Sequence, residues 1–235
     1  MAIESFKKEL RKKASKEKAI ILARFFKTGP GQYGQGDKFL GVTVPDIRST
    51  IKEFIDLELN DLQKLLNSVY HEERLSALLI LVVKYSRADT RGQKKICKFY
   101  LKNTKKINNW DLVDLTAEKI VGPYLKNKNK DVLFKLVQSK NLWERRIAIL
   151  STFHYIKKGD CELTLKISEN LLQDKHDLIH KAVGWMLREV GKRCGEEKEE
   201  KFLKKYYRQM PRTMLRYAIE KFEENKRLNY LKNKI

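Results

Sequence analysis

The amino-acid sequence predicts an all-α protein, a curved α-solenoid assembled from two-helix repeats. Three observations lead there. Apolar residues recur at spacings of three and four almost throughout, and hardly anything alternates with the period of two that a strand requires. Breakers are few: four prolines and eleven glycines in 235 residues. The later helices also pair. Their second members are expected to begin near residues 71, 109, 142, 176 and 211, at intervals of 38, 33, 34 and 35 residues, close to the roughly 35–45 residues of stacked helical repeats.

In chain order, the periodicity predicts helices over about 4–26, 46–57, 60–68, 71–87, 91–103, 109–121, 130–139, 142–158, 161–173, 176–193, 196–208 and 211–225. Asn60, Asn109 and Asp160 are suited to cap them, and Pro45 and Pro211 stand where a first helical turn tolerates proline. The stretch 27–41, "KTGPGQYGQGDKFLG", holds five of the glycines. It lacks the order of a phosphate-binding loop and reads as a structural connector, or as a mobile loop closing over a nucleic acid with Tyr33 at its tip. "GEEKEEKFLKK", from Gly195, reads as a solvated helix face laced with i,i+4 pairs. The whole, 1–235, is expected to be one domain.

The balance of 51 Lys and Arg against 30 Asp and Glu leaves a formal net charge of +21. Such a surface attracts a polyanion, nucleic acid first, because neutralising phosphates releases counterions. A lysine-rich proteome is the bland alternative. No apolar run approaches the roughly 20 residues a bilayer demands, and the first twenty residues lack a signal peptide's apolar core. Cys97, Cys161 and Cys194 are odd in number and widely spaced, which points to a reducing compartment, the cytoplasm, and away from a zinc site. His176 and His180 stand at i and i+4 without the glutamate of HExxH. Surface or capping roles are expected for all four histidines, and no metal or organic cofactor is implied.

Trp110, Trp143 and Trp185 fall in successive second helices, each with a charged partner on its own face. Trp110 and Asp114 are i and i+4; Trp143 with Arg146 and Trp185 with Arg188 are i and i+3. For any single pair the core reading of the tryptophan is the ordinary one. Three pairs at the repeat period favour one shared surface. Asp111 points about 100° around the helix from Trp110 and reads as a cap or salt-bridge residue.

"NNWDLVD", "WERRIAIL", "KAVGWMLRE" and "MPRTMLRYAIE", in this order, resemble the AlkD-like DNA glycosylases, the HEAT-like-repeat family of alkylpurine excision enzymes, and "YGQGDKFLGVTVPDIR" resembles the family's N-terminal segment. The likeness runs from about Phe25 to Ile219. It implies a curved HEAT-like fold, a monomer acting on alkylated double-stranded DNA, and removal of cationic N3- and N7-alkylated purines without a cofactor. It assigns Asp114 as the catalytic carboxylate, Trp110 and Trp185 as the aromatic pair against the lesion's deoxyribose, and Arg146 (or its neighbour Arg145) and Arg188 as DNA contacts. Where the family can place a tyrosine on the first long helix, this chain offers Phe25 and Phe26, without a hydroxyl.

The chemistry suits one carboxylate. Ordinary glycosidases use two because the leaving oxygen needs a proton, whereas a cationic alkylpurine departs without one. What remains is to stabilise an oxocarbenium-like sugar and position a water, a task for a fixed negative charge. Nothing in the sequence suggests a deep pocket or an intercalating wedge, so recognition through the DNA backbone is expected. The rival reading is a non-catalytic HEAT-like scaffold for nucleic acid or an acidic protein, which has no need of a carboxylate on its binding face.

Overall fold

A computed structural model describes residues 2–235. Among them the protein is all-α: no strand forms, and the sole β-type pairing is an isolated parallel bridge between Lys38 and Tyr70. No helix of these residues is long and apolar enough to cross a membrane. The chain falls into two compact units, one ending at Thr116 and the other spanning Ala117–Ile235.

The first unit holds α1 (Ala2–Lys12), α2 (Lys16–Phe25), α3 (Val44–Ile51), α4 (Leu59–Leu66), α5 (His71–Arg87), α6 (Thr90–Lys102) and α7 (Trp110–Asp114). Its centre is α5, buried at every position from His71 to Leu81 and packed against α3, α4, α6 and α7. A helix wrapped on all sides this way is a core element, and each of its buried leucines contributes roughly 1.5–3 kcal/mol. The helix expected over 4–26 breaks at residues 13–15. Ser15 caps α2 by accepting from Lys18 N, while its own N–H donates to Leu40 O. Glu58, not Asn60, occupies the cap position of α4, whereas Asn109 does cap α7, accepting from Trp110 N at 2.8 Å.

The helix expected over 109–121 stops at Asp114. The Thr116 hydroxyl donates back to Leu112 O and lies 2.9 Å from the Tyr100 hydroxyl, and this back-bonding competes with helix continuation.

The second unit holds α8 (Ala117–Tyr124), α9 (Asp131–Val137), α10 (Leu142–Ser151), α11 (Phe153–Ile156), α12 (Glu162–Asn170), α13 (Asp177–Cys194), α14 (Glu196–Tyr206), α15 (Arg212–Ala218) and α16 (Glu224–Leu231). Here α13 is central, packing against α10, α12, α14 and α15 through buried Val183, Met186, Leu187 and Val190. Asp160 accepts from Glu162 N ahead of α12. The helix expected over 142–158 divides at Thr152, whose hydroxyl donates to Ile149 O. The helices α5, α7, α10, α13 and α15 begin within one residue of the expected repeat starts.

Candidate active site

The site grows from the N-terminus of α5, where four polar residues, His71, Glu72, Glu73 and Arg74, are each at most 4% exposed. Charge so deeply placed survives only with partners. The Glu72 carboxylate accepts from the backbone N–H groups of Leu40, Gly41 and Val42 at 2.8–3.2 Å. Arg11 Nη2 reaches Glu73 at 2.7 Å. Arg74 donates to Ser68 O, and its Nη2 lies 2.6 Å from Asp37 Oδ2. Gly41 is required where it stands: its φ is +80°, and a Cβ would fall 2.0 Å from Ser15 O. The far end of the 27–41 stretch is therefore fastened to both α2 and α5.

His71 is the hub. Its Nε2 donates to Asp111 Oδ2 at 2.8 Å and its Nδ1 to Asp37 Oδ2 at 3.4 Å, while Asn108 Nδ2 donates to the other Asp37 oxygen at 3.1 Å. Burial disfavours the imidazolium, but the charge of Asp111 and the hydrogen bonds to Asp111 and Asp37 outweigh it and push His71 up to about 9. Asp37 moves the other way: burial opposes its ionisation, and His71, Arg74 and Asn108 together hold it below the usual carboxylate range. The surface or capping role expected of His71 is thus corrected to a buried, charged one. His176 does cap, accepting from Leu178 N at the start of α13. The salt-bridge role expected of Asp111 is met by His71, and its other oxygen accepts from Leu112 N.

Above the imidazole lies a stack of rings. Phe39 and Phe26 each sit 4.8 Å from the His71 ring. Phe26 lies 5.2 Å from Phe39 and 5.1 Å from Trp110, at interplanar angles of 15° and 22°. Phe25 meets the Trp110 edge at 5.7 Å and is 58% exposed. Trp110 and Asp114, one turn apart on α7, both border a cavity of about 540 Å³. Its walls are mostly apolar and come from α2 (Ile21, Leu22), the start of α3 (Val44, Ile47) and the rings just described. No such pocket is expected from the sequence. Tyr33 is not among the residues that line it.

In the second unit, Trp185 is half-buried on α13 and meets Phe153 at 5.9 Å. Arg188, a turn further on, pairs with Glu220. Trp143 is 7% exposed, a core residue. Arg146 is 5% exposed and donates to Leu178 O, tying α10 to α13, so the surface position expected of it is corrected to a buried structural one. Arg145 pairs with Asp174 at 2.6 Å and donates to Ser139 O. Among the described residues no group of three or more His, Cys, Asp or Glu side chains is placed to hold a metal ion.

Residues 6–222 match the family described as DNA alkylation repair enzyme. The chain belongs to this family. A solved structure titled "Predicted DNA alkylation repair enzyme from Enterococcus faecalis" shares the fold with a TM-score of 0.68 at 16% identity, over 90% of this chain and 98% of that one. Among curated proteins none matches. Membership gives the chain a place in DNA repair and agrees with the resemblance carried by the tryptophan motifs.

Sequence reasoning missed Asp37, His71, Arg74 and Phe39. The signal that was available is "HEER" opening an otherwise apolar helix. Four consecutive polar residues ahead of "LSALLILVV" are surplus to any amphipathic pattern.

Proposed function

We propose that this chain is a monofunctional DNA glycosylase that removes positively charged N3- and N7-alkylated purines from double-stranded DNA, working as a cytoplasmic monomer. The observation that carries the reading is the pairing of Trp110 and Asp114 on one edge of a mostly apolar cavity, in a chain of net charge +21 that belongs to a DNA alkylation repair family. A basic protein that only holds DNA gains nothing from a carboxylate beside an aromatic platform.

In the reaction, the alkylated purine takes the electron pair of the bond between its ring nitrogen and C1′ and leaves neutral. Water adds to C1′ and surrenders one proton, leaving a hydroxyl there. Asp114 faces the positive charge developing on the sugar and receives the proton from the attacking water, while Trp110 offers an aromatic face to the electron-poor ring at roughly 0.5–2 kcal/mol. No general acid is needed. By resemblance, Trp185 and Arg188 of the second unit face the DNA as well, and Arg145 takes the place of Arg146 as the DNA-contacting arginine of α10. Arg146 enters only as the residue that fastens α10 to α13.

The test is release of 7-methylguanine or 3-methyladenine from methylated duplex DNA by the purified protein. Asp114→Asn should lower excision at least about tenfold, the size expected when a preorganised charge is lost, with DNA affinity nearly unchanged. Salt-sensitive DNA binding without base release by the wild type supports the scaffold reading instead. Efficient excision of uracil or hypoxanthine, which carry no positive charge, contradicts the chemistry.

A further inference from the structure

The helix that carries Trp110 and Asp114 is only five residues long, too short to hold its own geometry. Its position is set from outside. Asp111, in its first turn, is bound to His71 at 2.8 Å, and Trp110 rests on Phe26, which in turn rests on the His71 ring. One imidazole therefore reaches α7 by two routes, directly by the hydrogen bond to Asp111 and indirectly through Phe26. We propose that His71 is a positioning residue for the glycosylase site: as an imidazolium clamped between Asp111 and Asp37, it holds α7 in the orientation that presents Trp110 and Asp114 to the cavity. This inference rests on the glycosylase reading for its kinetic consequence, although the clamp itself does not.

The charged neighbours are few and their roles differ. Asp111 comes from α7 and Asp37 from the 27–41 connector; both favour the charged ring. Arg74, one turn along α5, opposes it but is itself drawn to Asp37. Glu72, on the next residue of α5, is turned to the amides of residues 40–42. Phe26 and Phe39, packed against each other and against the imidazole, lie at cation–π distance from it. Removal of the ring's proton takes the donor from one of its two carboxylates and leaves two buried negative charges with Arg74 as the one cation among these neighbours. The link to α7 weakens as a result.

The experiment needs no mutation to begin. Single-turnover excision of 7-methylguanine by the full chain is followed from pH 6 to 10, alongside the imidazole ¹⁵N shifts of His71 and the indole N–H resonance of Trp110, with circular dichroism confirming the fold at each pH. The rate should fall on an alkaline limb near pH 9 that coincides with the His71 titration, while the Michaelis constant for DNA stays within about twofold. Asp111→Asn removes the charge that raises His71, so limb and titration should move together to lower pH. His71→Gln should abolish the limb and lower kcat by about tenfold or more, since small misplacements of a reacting group cost that much.

A limb that stays put in Asp111→Asn, or full kcat in His71→Gln, overturns the proposal. If His71→Gln does not fold, the wild-type and Asp111→Asn profiles decide. If the wild type releases no alkylpurine, the glycosylase reading is lost and the clamp is judged separately. A Trp110 resonance that shifts with the His71 titration then supports it, and an unmoved one overturns it.

Discussion

Two glutamates, one in each unit, are equally hidden and oppositely treated. Glu72 in the first unit and Glu199 in the second are both 2% exposed. Glu72 accepts from three consecutive backbone amides. Glu199 is pressed against α13, where a Cβ on Gly191 would lie 1.9 Å from its Oε2, and its Oε1 has no hydrogen-bond partner. Burial, with Glu196 nearby, pushes Glu199 up to about 9 against the pull of Arg188 and Lys226. The same side chain is a fastening in one unit and a neutralised filler in the other. Burial alone therefore does not mark a functional acid. Partners do, and the partnered charges gather beneath α7.

The largest effect should come from breaking the fastening. Glu72→Ala leaves the N–H groups of Leu40, Gly41 and Val42 without their acceptor in a buried place, and orphaned buried donors cost about 1–3 kcal/mol each. A total loss of about 3–5 kcal/mol, the range seen when one side of a buried polar arrangement is removed, should appear in urea unfolding. Hydrogen exchange at those three amides should rise far more than exchange in α13. Equal acceleration everywhere would mean that Glu72 merely contributes to global stability and does not pin the connector.

How much of this was legible beforehand follows from the range of each interaction. The all-α fold and the repeat starts were legible because helical periodicity is local, and Trp110 with Asp114 was legible because one turn of helix relates them. The breaks at Ser15 and Thr116 were not, since Ser15 takes its place from Leu40 and Thr116 is met by Tyr100. The hub was hidden for the same reason, more strongly. Its hydrogen bonds join residues 34, 40 and 71 positions apart, and no spacing rule reaches that far. Glu199 was misread as solvated because "EEKEEK" has the composition of a surface, and only the absence of a side chain at Gly191 makes room for it. Its neighbour Glu200 does pair with Lys204 at i,i+4 as expected.

The smaller effect is the more discriminating one, because two groups share its sign. Glu199 keeps a proton in the folded chain that the unfolded chain releases above its ordinary value of 4.5. Its contribution to stability is whole below that and is lost as pH rises toward 9. His71 also binds its proton more tightly when folded, so its contribution is whole below about 6.5 and is lost as pH climbs through 9. Wild-type stability should thus decline in two overlapping stages, the first starting well before the second. Glu199→Gln removes only the first. It should raise stability at pH 8 by about 1–2 kcal/mol, a few degrees in Tm for a chain of this size, and leave only the His71 share of the decline between pH 6.5 and 9. Asp111→Asn should act on the second stage alone, ending it at lower pH and making it smaller. Urea midpoints at pH 5, 6.5, 8 and 9 separate the two. A Glu199→Gln protein with the wild-type profile would show that Glu199 finds a partner in solution, and the contrast between the two glutamates would collapse into one of degree.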